Sequence, residues 1–175
     1  NLGCTSYGSL LRKRLRGHEG TTHVVGAGSL VLDVLPWIVK NQNPVEVFTR
    51  SPQKHAKNLS QYKLSYFGTL DDLKKRETAE YLVIAAPLSA IQIDEMTNLK
   101  NYKVIFDLRG ESVNDPLPVS TVIPLATLFA DIESNRQQAQ NIKNQALIEI
   151  QKSARQMSLL EKQRPFGWED LWSYA

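Results

Sequence analysis

Between residues 22 and 123 short apolar runs alternate with helix-like or turn-like stretches, and this alternation constrains the fold more than any other feature. The runs are Thr22-His23-Val24-Val25, Val45-Glu46-Val47-Phe48, Leu64-Ser65-Tyr66-Phe67, Tyr81-Leu82-Val83-Ile84-Ala85-Ala86, Val104-Ile105-Phe106 and Val122-Ile123. The fourth and fifth are continuously apolar, as strands buried on both faces are. Between the runs lie an apolar helix pattern through Leu30, Leu32, Leu35 and Ile38 and a polar one over residues 52–59. A further helix opens at Thr69, whose hydroxyl, followed by Asp71 and Asp72, makes an N-terminal cap. Strand and helix in alternation predict an α/β fold, a Rossmann-like doubly wound parallel sheet. Right-handed crossovers then leave a crevice at the carboxyl ends of the strands.

Composition narrows the class. The 175 residues are 42% hydrophobic and 22% charged, enough to bury a core. A mean hydropathy of −0.32, with no apolar run of helix-spanning length, excludes a membrane span. One cysteine, Cys4, permits no internal disulfide, and His18, His23 and His55 fall outside metal-binding spacing. A net charge of +3 is too small by itself to argue for nucleic acid. A start at Asn1, without methionine or a charged-then-apolar leader, reads as a piece cut from a longer protein. The plain expectation is a reducing, cytoplasmic setting.

The first run passes into Gly26-Ala27-Gly28 and then a helix, the context in which a dinucleotide-binding turn operates. Glycines let a pyrophosphate approach the backbone, and the helix start at Ser29 and Leu30 offers free N–H groups and a positive dipole end. The third glycine of that fingerprint is replaced by Val31, which weakens the signal because this glycine normally allows close helix–strand packing. At the end of the second run, where an NAD site places a carboxylate, stand Thr49, Arg50 and Ser51, with Lys54 a turn later. A guanidinium with flanking hydroxyls suits a 2′-phosphate and favours NADP over NAD. The fourth run ends in Ala85-Ala86-Pro87: Ala86 and Pro87 leave room for the nicotinamide half of a cofactor, or simply stop a strand. Asp107, at the end of the fifth, either orients a substrate or nearby loop or caps a turn.

Two helical segments flank this unit. Residues 4–16 place Leu10, Leu11 and Leu15 on one face and Arg12, Lys13, Arg14 and Arg16 on another, a basic run that is a solvated face or a contact for RNA. From Leu125 onward Leu128, Ile132, Ala139, Ile142, Ala146, Met157 and Leu160 recur at mostly helical steps, with neither glycine nor proline before Arg164. One helix over that stretch would extend roughly 50–60 Å. Its narrow apolar stripe needs a partner surface, most simply a second copy; the alternative is two shorter helices folded back. The expected organisation is a nucleotide-binding domain over 1–124 and a dimerisation helix with an aromatic tail over 125–175.

Together these segments resemble glutamyl-tRNA reductase over nearly the whole chain. The residues that carry the likeness are the lead-in helix, Val24-Val25-Gly26-Ala27-Gly28, Phe48-Thr49-Arg50-Ser51, Ile84-Ala85-Ala86-Pro87, Val104-Ile105-Phe106-Asp107-Leu108 and the long helix from Ile132. Shikimate dehydrogenases share the turn and the Thr-Arg-Ser segment but do not end in a spine of this length. The resemblance implies an NADPH-binding middle domain, a homodimer through the terminal helix, and glutamyl-tRNA as substrate of the full-length enzyme. That enzyme reduces a glutamyl thioester to an aldehyde used in tetrapyrrole synthesis. The family's thioester-forming cysteine belongs to an N-terminal domain outside this chain, and Cys4 does not match its motif. Where the family continues Asp-Leu with Pro-Arg-Asp, this chain has Arg109-Gly110-Glu111-Ser112. With Val31, that departure motivates a second expectation, a Rossmann-type scaffold or regulatory module without catalysis. A third, an independent NADP-dependent dehydrogenase, lacks a convincing proton donor: Lys74 and Lys75 sit on a helix that reads as solvated.

Overall fold

A computed structural model describes residues 6–17, 19–76, 79–110 and 114–162, with side chains to residue 159. Cys4, His18, Glu111, Ser112 and the aromatic tail after residue 164 lie outside the described residues, as does the side chain of Leu160. The described residues divide into two compact units, one up to Asn135 and a second from Arg136 onward.

The first unit is built on a six-stranded sheet of β1 (Thr22–Val25), β2 (Val45–Thr49), β3 (Tyr66–Thr69), β4 (Tyr81–Ile84), β5 (Val104–Asp107) and β6 (Val122–Pro124). Their order is β3-β2-β1-β4-β5-β6 and every pairing is parallel. The strand order reverses between β1 and β4, which creates a crevice at their carboxyl ends. The helices are α1 (Tyr7–Leu15), α2 (Ser29–Ile38), α3 (Pro52–Leu59), α4 (Leu70–Leu73), α5 (Ala90–Met96) and α6 (Leu125–Lys162).

Alternation along each strand divides the core into two layers. Val24, Val47, Val83 and Phe106 pack with Leu11 of α1, Val31, Val34, Leu35 and Ile38 of α2, Leu59 of α3, and Leu128 and Ile132 of α6. Val25, Phe48, Ile84 and Ile105 face the other way, against Leu73 of α4 and Ile93 of α5. Val31, where a glycine was expected, is fully buried in the first layer at the head of the helical stripe 31-34-35-38. The isopropyl group therefore fills the helix–strand space that the missing glycine would have closed. Pro36 lacks the N–H that would bond the Leu32 carbonyl, and α2 ends two residues later in a 3₁₀ turn, Val39–Asn41.

Other departures are local. The third strand is Tyr66–Thr69, two residues beyond the apolar run, because it is a half-exposed edge strand defined by its ladder to β2. Thr69 does cap α4, with Asp72 returning the bond, but that helix stops at Leu73. Lys74 and Lys75 therefore lie beyond it rather than on it, in solvent as expected. From Leu125 a single helix of 38 residues replaces the two-helix alternative. Its first turns belong to the sheet unit, where Arg14 of α1 pairs with Asp131. Past Asn135 its apolar side chains, among them Ile142, Ile150 and Met157, stand exposed.

His23 is a buried polar group within the sheet. Its Nδ1 lies 3.0 Å from the Tyr102 hydroxyl, and its Nε2 is 3.3 Å from Glu46 Oε2 without hydrogen-bond alignment. Burial, reinforced by Arg76 and opposed by Glu80, lowers the imidazole pKa to about 4. Burial raises the Tyr102 phenol to about 12, so both partners are neutral and share one hydrogen bond whose direction is set by the imidazole tautomer.

Candidate functional site

The turn after β1 has a glycine where no other residue fits. Gly26 has φ +121°, and a Cβ there would stand 3.0 Å from the Ala85 carbonyl carbon and 3.1 Å from the Ala86 nitrogen. The β1 turn and the end of β4 therefore touch backbone to backbone. The Gly26 N–H donates to the Phe48 carbonyl and the Ala85 N–H to the Val25 carbonyl, both at 2.8 Å, which pins the turn to both neighbouring strands. Gly28 differs. Its backbone is ordinary and no atom lies within 4 Å of a Cβ placed there, so it bares the backbone to open space.

That space is a cleft of about 280 Å³ across the strand ends. Gly26, Ala27 and Gly28 line its floor, Thr49, Arg50, Ser51 and Lys54 one wall, and Ala86 and Pro87 the other. Of the residues expected at this site, Ser29 and Leu30 do not line it: Leu30 packs against the first core layer and the Ser29 side chain is exposed. What they can offer is the backbone of the first helical turn. The cleft also contains Ala85, which belongs to the expected small segment at the end of β4, and His55 and Leu70, which the sequence motifs did not point to. His55 was detectable: it stands four residues after Ser51, on the same helical face.

The helix starts around the cleft are left open. Helices α1, α4 and α5 each begin with a reciprocal capping box, Ser6 with Ser9, Thr69 with Asp72 and Ser89 with Gln92. Helices α2 and α3 begin at Gly28 and Ser51, with no side-chain cap and no acid in the first turn. The N–H groups that open α2 and the positive dipole ends of both helices thus border the cleft, together with the Ser51 hydroxyl, which has no partner among the described residues. Helix α3 offers fewer N–H groups, since Pro52 has none and that of Lys54 donates to the Ser51 carbonyl at 3.2 Å. Among the described residues no carboxylate lines the cleft. Among the described residues Arg50 and Lys54 make no ion pair, so this corner carries unneutralised positive charge, and His55 has no ion-pair partner either.

The far rim is held by Arg109. Its Nε and Nη2 donate to the two Asp107 oxygens at 2.9 and 2.8 Å. Nη1 reaches the Leu88 carbonyl at 2.8 Å and Asp115 Oδ2 at 3.1 Å, and Nη2 also reaches the Asp115 carbonyl. Hydrogen bonding to Asp107 raises the guanidinium pKa further. Asp115 in turn accepts the Ala90 N–H at the start of α5. Asp107 caps the turn after β5, its Oδ1 accepting the Arg109 backbone N–H at 3.1 Å, and it also holds the Arg109 side chain, which ties the β5 end to the loop after Pro87. Among the described residues no cluster of three His, Cys, Asp or Glu could hold a metal, and no helix is long and apolar enough to cross a membrane.

No protein-family model matches the chain, and no curated protein does. Solved structures do. The nucleotide binding domain of glutamyl-tRNA reductase from Thermoplasma volcanium aligns over 79% of this chain and 99% of its own, with a TM-score of 0.59 and 18% identity. Glutamyl-tRNA reductase from Methanopyrus kandleri covers 93% of this chain with a TM-score of 0.52 and 18% identity, and this chain spans 46% of that enzyme. A chorismate mutase/shikimate 5-dehydrogenase fusion protein from Clostridium acetobutylicum aligns over 83% of the chain, with a TM-score of 0.54 and 14% identity. The fold is Rossmann-like. At these identities the likeness establishes the architecture and leaves the activity to the residues of the cleft.

Proposed function

We propose that this chain is the NADPH-binding domain of a glutamyl-tRNA reductase-like oxidoreductase that reduces a glutamyl thioester to glutamate-1-semialdehyde in tetrapyrrole biosynthesis. The observation that carries the cofactor reading is the acid-free cleft bordered by two uncapped helix starts and an unpaired Arg50. The open backbone at Gly28 and the N–H groups opening α2 suit a pyrophosphate. Arg50, Ser51 and Lys54 suit a 2′-phosphate, and nothing at the end of β2 offers the ribose a carboxylate. Small Ala85 and Ala86 beside Pro87 leave the β4 edge low, where the nicotinamide half would continue. Bound there, NADPH supplies a hydride; this chain's part is to hold and orient it. The thioester-forming cysteine would come from another domain of a longer protein.

Calorimetric titration tests the reading. NADPH is expected to bind at least tenfold more tightly than NADH, and Arg50→Ala to remove most of that difference while leaving NADH within about twofold, the scale of a charge-assisted phosphate contact. Equal, very weak binding of both cofactors by the wild-type chain would overturn it. A homodimer through α6 in a cytoplasmic protein completes the proposal. A second reading, a scaffold whose function lies in α6, draws on the exposed apolar side chains past Asn135.

A further inference from the structure

We propose that His55 is a specificity-determining contact for the 2′-phosphate, a role that rests on the NADPH reading above. Along α3, Ser51, His55 and Leu59 succeed one another at steps of four and share one face. That face points inward: Leu59 is buried in the core, His55 is half-buried, and Gln53, Lys54, Ala56 and Lys57 are exposed. The position that would normally hold an apolar residue thus holds an imidazole that reaches the cleft, with no hydrogen bond or ion pair to it among the described residues. Neither ring nitrogen is among the buried atoms without a partner, so both stay open to a ligand that enters the cleft.

Helical side chains lean toward the N-terminus, so the ring is carried back over the uncapped end of α3 and the free Ser51 hydroxyl. An anion seated there meets Arg50, Ser51 and Lys54 and gains an imidazole N–H from the inner side. The 2′-phosphate is the part of NADPH that this corner of the cleft fits, because β2 ends here and an NAD-type carboxylate is absent. His55 therefore separates NADPH from NADH, and adds nothing to the pyrophosphate at Gly28.

The test uses the whole chain with NADPH, NADH, 2′-AMP and 5′-AMP in calorimetry, on wild type, His55→Leu, His55→Lys and Arg50→Ala. Leucine fills the inner face of α3, so the fold survives, which a thermal melt verifies. His55→Leu is expected to weaken NADPH and 2′-AMP roughly tenfold, with NADH and 5′-AMP changed less than about twofold. His55→Lys restores most of the loss by replacing the donor. The inference is overturned if His55→Leu binds NADPH like the wild type while Arg50→Ala does not, which leaves His55 as filling only. A parallel loss for NADH also overturns it, since the residue would then act on the shared part of the cofactor. If the wild-type chain fails to distinguish NADPH from NADH at all, the cofactor reading falls first, and the role of His55 with it.

Discussion

At the scale of single residues, two glycines separated by one position do different work. Gly26 is required by the fold itself: its φ of +121° and the 3.0 Å approach to Ala85 leave no place for a Cβ. Gly26→Ala should cost about 2–4 kcal/mol, from backbone strain and the forced opening of the β1–β4 contact, read as a lower urea midpoint. Gly28→Ala should leave stability within about 1 kcal/mol and weaken dinucleotide binding, since its Cβ enters space the protein does not use. His23 sets a pH dependence. Its folded pKa of about 4 lies below the ordinary 6.5, so the unfolded chain takes up the proton first. Stability should therefore fall as pH drops from about 6.5 to 4 and level off below, by up to about 3 kcal/mol. His23→Gln should flatten that window in urea titrations, whereas a wild-type profile already flat there would contradict the neutral buried ring.

At the scale of elements, Arg109 joins two strand ends through a buried fork. Arg109→Met should destabilise by about 3–5 kcal/mol because Asp107, almost wholly inaccessible, keeps the backbone N–H of residue 109 but loses its only charged partner among the described residues. Replacing both, Asp107→Asn with Arg109→Met, should recover part of the loss in a double-mutant cycle. Most of this level could be read from residue order. The β1 turn, the acid-free β2 end, the Thr69 cap and the continuously apolar β4 and β5 all follow local rules, and each is where expected. Two things escaped local rules. The third strand begins late because a half-exposed edge is fixed by hydrogen bonding to β2, which an apolar run does not encode. His55 escaped because a motif is searched by adjacency, while a helix brings residues together at steps of four.

For the whole molecule, the long helix reports its length openly through the absence of glycine and proline, but the sequence does not show where the sheet unit releases it. Leu128 and Ile132 are buried with the sheet, whereas past Asn135 none of the described side chains of α6 is buried. A double substitution Ile150→Glu with Met157→Glu lies beyond that point and should leave the thermal midpoint of the sheet unit and NADPH binding unchanged. If α6 pairs two chains as proposed, light scattering should find the wild type dimeric and this variant monomeric. A wild-type monomer at micromolar concentration would count against the pairing.

The β1–β4 contact at Gly26 and the guanidinium fork at Arg109 brace the cleft from both sides before anything enters it. A ligand should meet a finished recess rather than a gate. Stopped-flow mixing with NADPH should then give one exponential whose rate climbs linearly with concentration, with no plateau from a slow opening step.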